Sequence, residues 1–175
     1  MSARKNARQE PGEQLKISAL IAQISGGDET QRVKDARTQL LAIGSPAVPA
    51  LLAAVHVEKG GSRLELVKLL RQMAEPAMAG TFVELLSDND FDVRWEAVEG
   101  LSTLGYDGLG PLISAMIKNP GSMKLRNAAH HVLHHVASQG YYILLKPLMM
   151  AIESNMPDIE VPAAALKVQS DLARD

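Results

Sequence analysis

Cysteine is absent from this chain of 175 residues, which removes disulfides, thiolate metal sites and thiol nucleophiles at once. Aromatic residues are scarce at 3%, with one Trp, two Phe and three Tyr. A β-sandwich or barrel draws on aromatic and β-branched residues, so the shortage favours helices packed through Leu, Ala, Val and Met. Neither sign of charge dominates: 18 basic residues stand against 20 acidic ones, a formal net charge of −2. That balance lacks the basic footprint of a duplex-binding protein, and no nucleic-acid partner is expected. No run is long and apolar enough to span a bilayer, and residues 1–14 lack the apolar stretch of a signal peptide. A soluble, cytoplasmic protein without a membrane partner is the expectation.

Enzyme motifs are missing too. Gly26-Gly27 and Gly60-Gly61 are single pairs at helix junctions, not a phosphate loop, and no Gly-x-Ser-x-Gly elbow occurs.

What the chain does contain is a repeat. Leu40, Leu70, Leu101 and Leu133 lie 30, 31 and 32 residues apart. Ala36, Leu66, Ala97 and Ala129 precede them by four positions, and Ile43, Met73, Leu104 and Val136 follow by three. A small residue comes next each time: Gly44, Ala74, Gly105, Ala137. Self-similarity at this period marks a solenoid, whose units bury their apolar faces only against one another.

Helical spacing of Leu15, Ile17, Leu20, Ile21 and Ile24 predicts a first helix over 13–24, stopped by Ser25-Gly26-Gly27-Asp28. Pairs of helices then follow at 29–43 and 46–56, 63–73 and 77–86, 91–104 and 109–118, and 123–137 and 141–154. Ser45-Pro46 reads as an N-cap with proline in the first turn, Lys59-Gly60-Gly61-Ser62 as a separator, and Pro76 as a junction. A last helix over 162–172 has no partner after it. Residues 1–12, with Arg4, Lys5 and Arg8 before Pro11-Gly12, read as a flexible tail. The expectation is therefore one domain over 13–175. Its repeats fall at about 29–56, 62–87, 90–118 and 122–154, with caps at 13–25 and 157–173.

The third repeat opens Asp90-Phe91-Asp92-Val93-Arg94-Trp95-Glu96-Ala97 and continues to Leu101 and Gly105. It resembles the HEAT repeat, in the short bacterial kind first noted in phycobilin lyases. That pattern has acidic residues, then Val-Arg, then Ala and Leu four apart, then a closing Gly. The fourth repeat keeps Leu125-Arg126 and Ala129 but starts with Asn119-Pro120; the first keeps Asp35-Ala36, Leu40 and Gly44; the second diverges most. The resemblance spans roughly 30–154. It implies an all-α fold: a right-handed α–α superhelix of about four helical pairs plus capping helices, an armadillo-like α-solenoid. It also implies that Arg94 and Arg126 pair with an aspartate near the start of a neighbouring repeat.

Four of the five histidines sit in Ala129-His130-His131-Val132-Leu133-His134-His135-Val136. His130 and His134 are one turn apart, as are His131 and His135, and an i, i+4 histidine pair can chelate a divalent transition metal. The apolar stripe Leu125, Ala129, Val132, Leu133, Val136 leaves all four off its centre: His130 and His134 flank it, while His131 and His135 lie nearer the back. A metal site needs a further ligand, and none stands at a recognised spacing. The zinc-protease motif His-Glu-x-x-His and the His-Glu dyads of HEAT-like di-iron hydroxylases are both absent. The plain reading is a set of hydrogen-bonding histidines; the alternatives are a pH-sensitive or partner-binding patch and a metal site at His130 and His134, or at His131 and His135.

Trp95 invites comparison with HEAT-like alkylpurine DNA glycosylases, but those are longer, basic and richer in such aromatics. One member each of Tyr141-Tyr142 and Met149-Met150 should face the core. The function expected is a scaffold or adaptor, not an enzyme, binding another protein through the concave face lined by second helices. Trp95, Arg94, Arg126 and Tyr142 are its candidate contacts. No cofactor is expected beyond a divalent transition metal. The alternatives are a lyase-type accessory protein acting on a chromophore or modified protein, and a metal-dependent enzyme using the histidines at 130–135.

Overall fold

A computed structural model describes residues 11–25 and 30–174. Among them the chain is helical throughout, with no strand. The α-helices are α1 (Pro11–Ser25), α2 (Gln31–Ile43), α3 (Val48–Val57), α4 (Gly60–Met73), α5 (Ala79–Leu85), α6 (Phe91–Leu104), α7 (Tyr106–Lys118), α8 (Met123–Val136), α9 (Tyr142–Ile152) and α10 (Pro157–Leu172). The basic tail (Arg4, Lys5, Arg8), the stop at Gly26-Gly27-Asp28 and the expected start at Glu29 lie outside the described residues. No single described helix is long and apolar enough to cross a membrane.

The repeated positions form the core. Leu40, Leu70, Leu101 and Leu133 are buried, as are Ala36, Leu66, Ala97 and Ala129. The small side chains of Ala36, Ala97 and Ala129 let a neighbouring helix approach, while Leu66 takes the equivalent place in α4 with a larger side chain. The chain packs as two compact units, up to Leu69 and from Leu70 onward, so that α4 runs through the division. In the first unit α1 lies against α2 and α3, and Arg37 Nη1 reaches Glu65 Oε2 at 3.0 Å. In the second unit α6 packs beside α8, α5 beside α7, and α5 against α6, while α10 lies against α7 and α9.

Helix ends show where proline and glycine act. Gly44 (φ 69°), Ala74 (φ 50°) and Gly105 (φ 59°) close α2, α4 and α6 in the left-handed region. Their N–H groups donate to the carbonyls of Leu40, Leu70 and Leu101, which satisfies a terminal carbonyl that would otherwise lack a partner. The fourth small residue behaves differently. Ala137 is right-handed (φ −58°), and a five-residue π-type turn over Ala137–Tyr141 carries the reversal to Gly140 at φ 111°.

Several boundaries differ from the sequence expectation, α7 among them, which starts at Tyr106 and not at 109. Short 3₁₀ turns at Ser45–Ala47 and Pro76–Met78 precede α3 and α5, because a proline fixes φ without fixing which carbonyl the next N–H seeks. Gly60-Gly61-Ser62, expected as a separator, forms the first turn of α4, with Ser62 Oγ donating to the Ser25 carbonyl at 2.9 Å. Helix α10 starts at Pro157 and carries Pro162 inside it; Pro157 takes the first-turn place that suits proline. Pro11 and Gly12, read as tail, are the first residues of α1 by the same preference.

Candidate functional site

The start of α6 shows how the Asp-x-Asp-Val-Arg segment works locally. Asp90 accepts a hydrogen bond from the Asp92 N–H at 2.9 Å and caps the helix. Asp92 adds negative charge to the first turn, where the helix dipole favours it. Arg94 then folds back over this start. Its Nη1 donates to the carbonyls of Asp88 at 2.8 Å and Asn89 at 3.0 Å, and its guanidinium lies 5.5 Å from the Phe91 ring centre.

The expected pairing of Arg94 with an aspartate of a neighbouring repeat is therefore replaced by bonds to carbonyls of the loop just ahead of α6. Arg126, 32 positions later, does both. Its Nη1 donates to the Pro120 carbonyl at 3.4 Å, the same six-residue reach as Arg94 to Asp88, and to Asp158 Oδ1 of α10 at 2.7 Å. Arg71 Nε of α4 meets Glu96 Oε2 of α6 at 2.7 Å. Between α6 and α8 the contact is aromatic: Trp95 meets His131 edge-on, ring centres 5.8 Å apart and planes at 74°.

That seam opens into a cleft of about 230 Å³ lined by Leu86, Phe91, Arg94, Trp95, Val98, Lys124, Asn127, Ala128 and His131. Phe91 is 63% exposed and Trp95 44%. In a chain with so few aromatics, two neighbouring ones left open to solvent at one cleft need an explanation beyond packing. A single inserted side chain fits.

A second arrangement lies between α8 and α9. His130 Nε2 contacts Glu153 Oε1 at 3.0 Å and His134 Nε2 contacts the same oxygen at 3.4 Å. A carboxylate oxygen accepts only, so both imidazoles present Nε2–H to it. The two rings lie 4.4 Å apart. The hydrogen bond from His130, then that from His134, holds the Glu153 carboxyl below the ordinary glutamate range. Beside this cluster is an open depression of about 440 Å³, lined by His134, Glu153, Tyr142, Lys146, Met149 and Met150 among others.

The structure thus places Trp95 and Arg94 at one cleft with His131, which stands apart from His135 in this respect. It sets Tyr142 beside the cluster of His130 and His134, with Lys146 Nζ 5.8 Å from its ring centre. Tyr142 and Met150 face solvent while Met149 is buried and Tyr141 half-buried, the division expected for those pairs. Arg126 is mostly covered, its side chain 17% exposed, and serves the α8–α10 junction.

Sequence reasoning missed Phe91 and Glu153. Phe91 was available, as an apolar residue opening α6 off its buried stripe. Glu153 was not, because its approach depends on the turn at 137–141, whose π geometry no spacing announces. Comparison with family models, curated proteins and solved structures finds no match to this chain.

Proposed function

We propose that this chain is an interaction scaffold or adaptor that binds a segment of another protein. In this reading the helix pairs are HEAT-like repeats of a right-handed superhelix; the buried ladder of Leu40, Leu70, Leu101 and Leu133 supports it. The cleft carried by α6 and α8 is the binding surface.

One observation carries the reading: Phe91 and Trp95 stand exposed side by side over an apolar cleft that Arg94 and Lys124 border with positive charge. Large aromatics are the residues that most often anchor protein interfaces, and basic neighbours at the edge select acidic flanks. The partner segment is one apolar side chain flanked by carboxylates. Trp95 is the chain's only tryptophan, so its fluorescence reports on the cleft without a label.

The test is a peptide-display selection against the full chain, followed by titration of selected peptides with Trp95 emission as the signal. Acidic peptides with one apolar anchor should shift the emission, and Phe91→Ala should weaken them by about tenfold or more, the loss expected of an anchor residue. Peptides that bind the Phe91→Ala variant as tightly as the unaltered chain would place binding elsewhere and defeat the reading.

A further inference from the structure

We infer that His130, His134 and Glu153 form a binding site for a divalent transition cation of the zinc class. The three donor atoms lie within 4.8 Å of one another, the only such group of three His, Asp or Glu donors among the described residues. The histidines come from successive turns of α8 and the glutamate from just past the end of α9, so two elements converge on one point.

The distances match the geometry a cation needs. Bonds of about 2.0–2.1 Å to imidazole and carboxylate set neighbouring donors roughly 3.0 Å apart in an octahedron and roughly 3.3–3.4 Å apart in a tetrahedron. The two nitrogen-to-oxygen separations are 3.0 and 3.4 Å. The nitrogen-to-nitrogen separation, at most 4.8 Å, closes by rotation of side chains that are 38% and 47% exposed. Glu153 is 55% exposed.

Chemistry of the donors selects the ion. Two imidazole nitrogens and one carboxylate oxygen suit zinc, cobalt or nickel better than magnesium or calcium, which prefer an all-oxygen shell. On binding, the cation replaces the two Nε2 protons that now point at Glu153, and these leave to buffer. Positions not filled by protein face the depression beside Tyr142 and Lys146, where water or a partner's side chain completes the shell. Such an ion ties α8 to α9 across the turn at 137–141.

His131 and His135 supply an internal reference. They have the same i, i+4 spacing on the same helix, yet no carboxylate joins them in such a group among the described residues. If a bare histidine pair suffices for binding, both pairs bind alike; if Glu153 completes the site, only one does.

The experiment uses the full chain without a histidine tag, stripped with chelator and titrated with zinc chloride by calorimetry, with a parallel cobalt titration read by visible absorption. One saturable site is expected, and Glu153→Gln and His130→Gln should each weaken it by about tenfold or more, the scale of losing one ligand of three. His135→Gln should leave affinity within about twofold of the parent, and the cobalt band should fade in Glu153→Gln. The altered side chains are exposed or half-exposed, so metal-free melts of the variants should stay cooperative and fall only slightly below the parent, which excludes misfolding. Unchanged zinc affinity in Glu153→Gln, equal losses in His135→Gln, or absence of saturable binding would each overturn the inference.

Discussion

The ring of Phe82 lies so close to the backbone of Gly100 that a β-carbon built on the glycine would stand 2.7 Å from the ring carbons Cε1 and Cζ. Phe82 is fully buried and belongs to α5, which packs against α6 at this point. A ring enclosed on all sides has no easy retreat. Gly100→Ala should cost about 1–3 kcal/mol by overpacking, seen as a melting temperature lower by roughly 3–10 °C. Phe82→Leu removes the obstructing ring edge, so the double variant should lose less than the sum of the two singles. Strict additivity in a double-mutant cycle would mean that the contact is not the cause.

Ala74 is the one non-glycine residue among the described residues with positive φ, at the place where Gly44 and Gly105 close the equivalent helices. Its left-handed backbone costs about 1–2 kcal/mol for a residue with a β-carbon, against about 0.5–1 kcal/mol of extra chain entropy lost by glycine. Ala74→Gly should therefore hold or raise stability by up to about 1 kcal/mol. Gly105→Ala should do the reverse, since its β-carbon would also stand 2.8 Å from Gln139 Oε1. Denaturant midpoints of the two variants should move in opposite directions; a shared direction would contradict this account of the helix ends.

These cases show which features a sequence carries openly. Leu101 and Ala97 were legible as core because helical spacing and the repeat near 31 residues point to the same face, and α6 runs over the residues its spacing predicts. Element starts set by proline were less so: Pro46 and Pro76 mark a junction but do not distinguish a 3₁₀ turn from an α turn. The histidine pairs were legible as pairs. What separates His130 and His134 from His131 and His135 is Glu153, 23 residues beyond His130, delivered by a turn whose reversal sits at Gly140 instead of Ala137. Arg94 misled for a related reason, as its partners are carbonyls, which every sequence position offers.

Arg126 and Asp158 pair at 2.7 Å with unequal exposure, 17% for the arginine side chain and 67% for the aspartate. Water and salt screen such a pair from the aspartate's side, so Asp158→Asn should cost no more than about 1 kcal/mol, and the loss should shrink as salt is raised. Arg126→Ala removes more. Its stem is packed, and its guanidinium also donates to the Pro120 carbonyl. The arginine variant should fall further than the aspartate variant in thermal melts, and its deficit should persist in high salt. Equal losses that vanish together in salt would reduce Arg126 to a surface charge.

Glu153 offers a titration that separates its partners from bulk solvent. In protein held with chelator, hydrogen bonds from His130 and His134 favour its ionised form and set its carboxyl below the ordinary value of 4.5; Lys146 lines the same depression. A carboxyl lowered in the folded state adds stability that is fully present above the unfolded value and disappears as pH falls through the folded one. The carboxyl carbon of Glu153, followed by NMR, should titrate below the ordinary glutamate value. In the His130→Leu, His134→Leu double variant, which removes both donors, it should move back up toward that value. A return in that variant identifies the two imidazole donors as the cause, whereas an unmoved carboxyl would assign the shift elsewhere. A Glu153 signal that titrates at the ordinary value from the outset would show that the α8–α9 cluster does not form in solution.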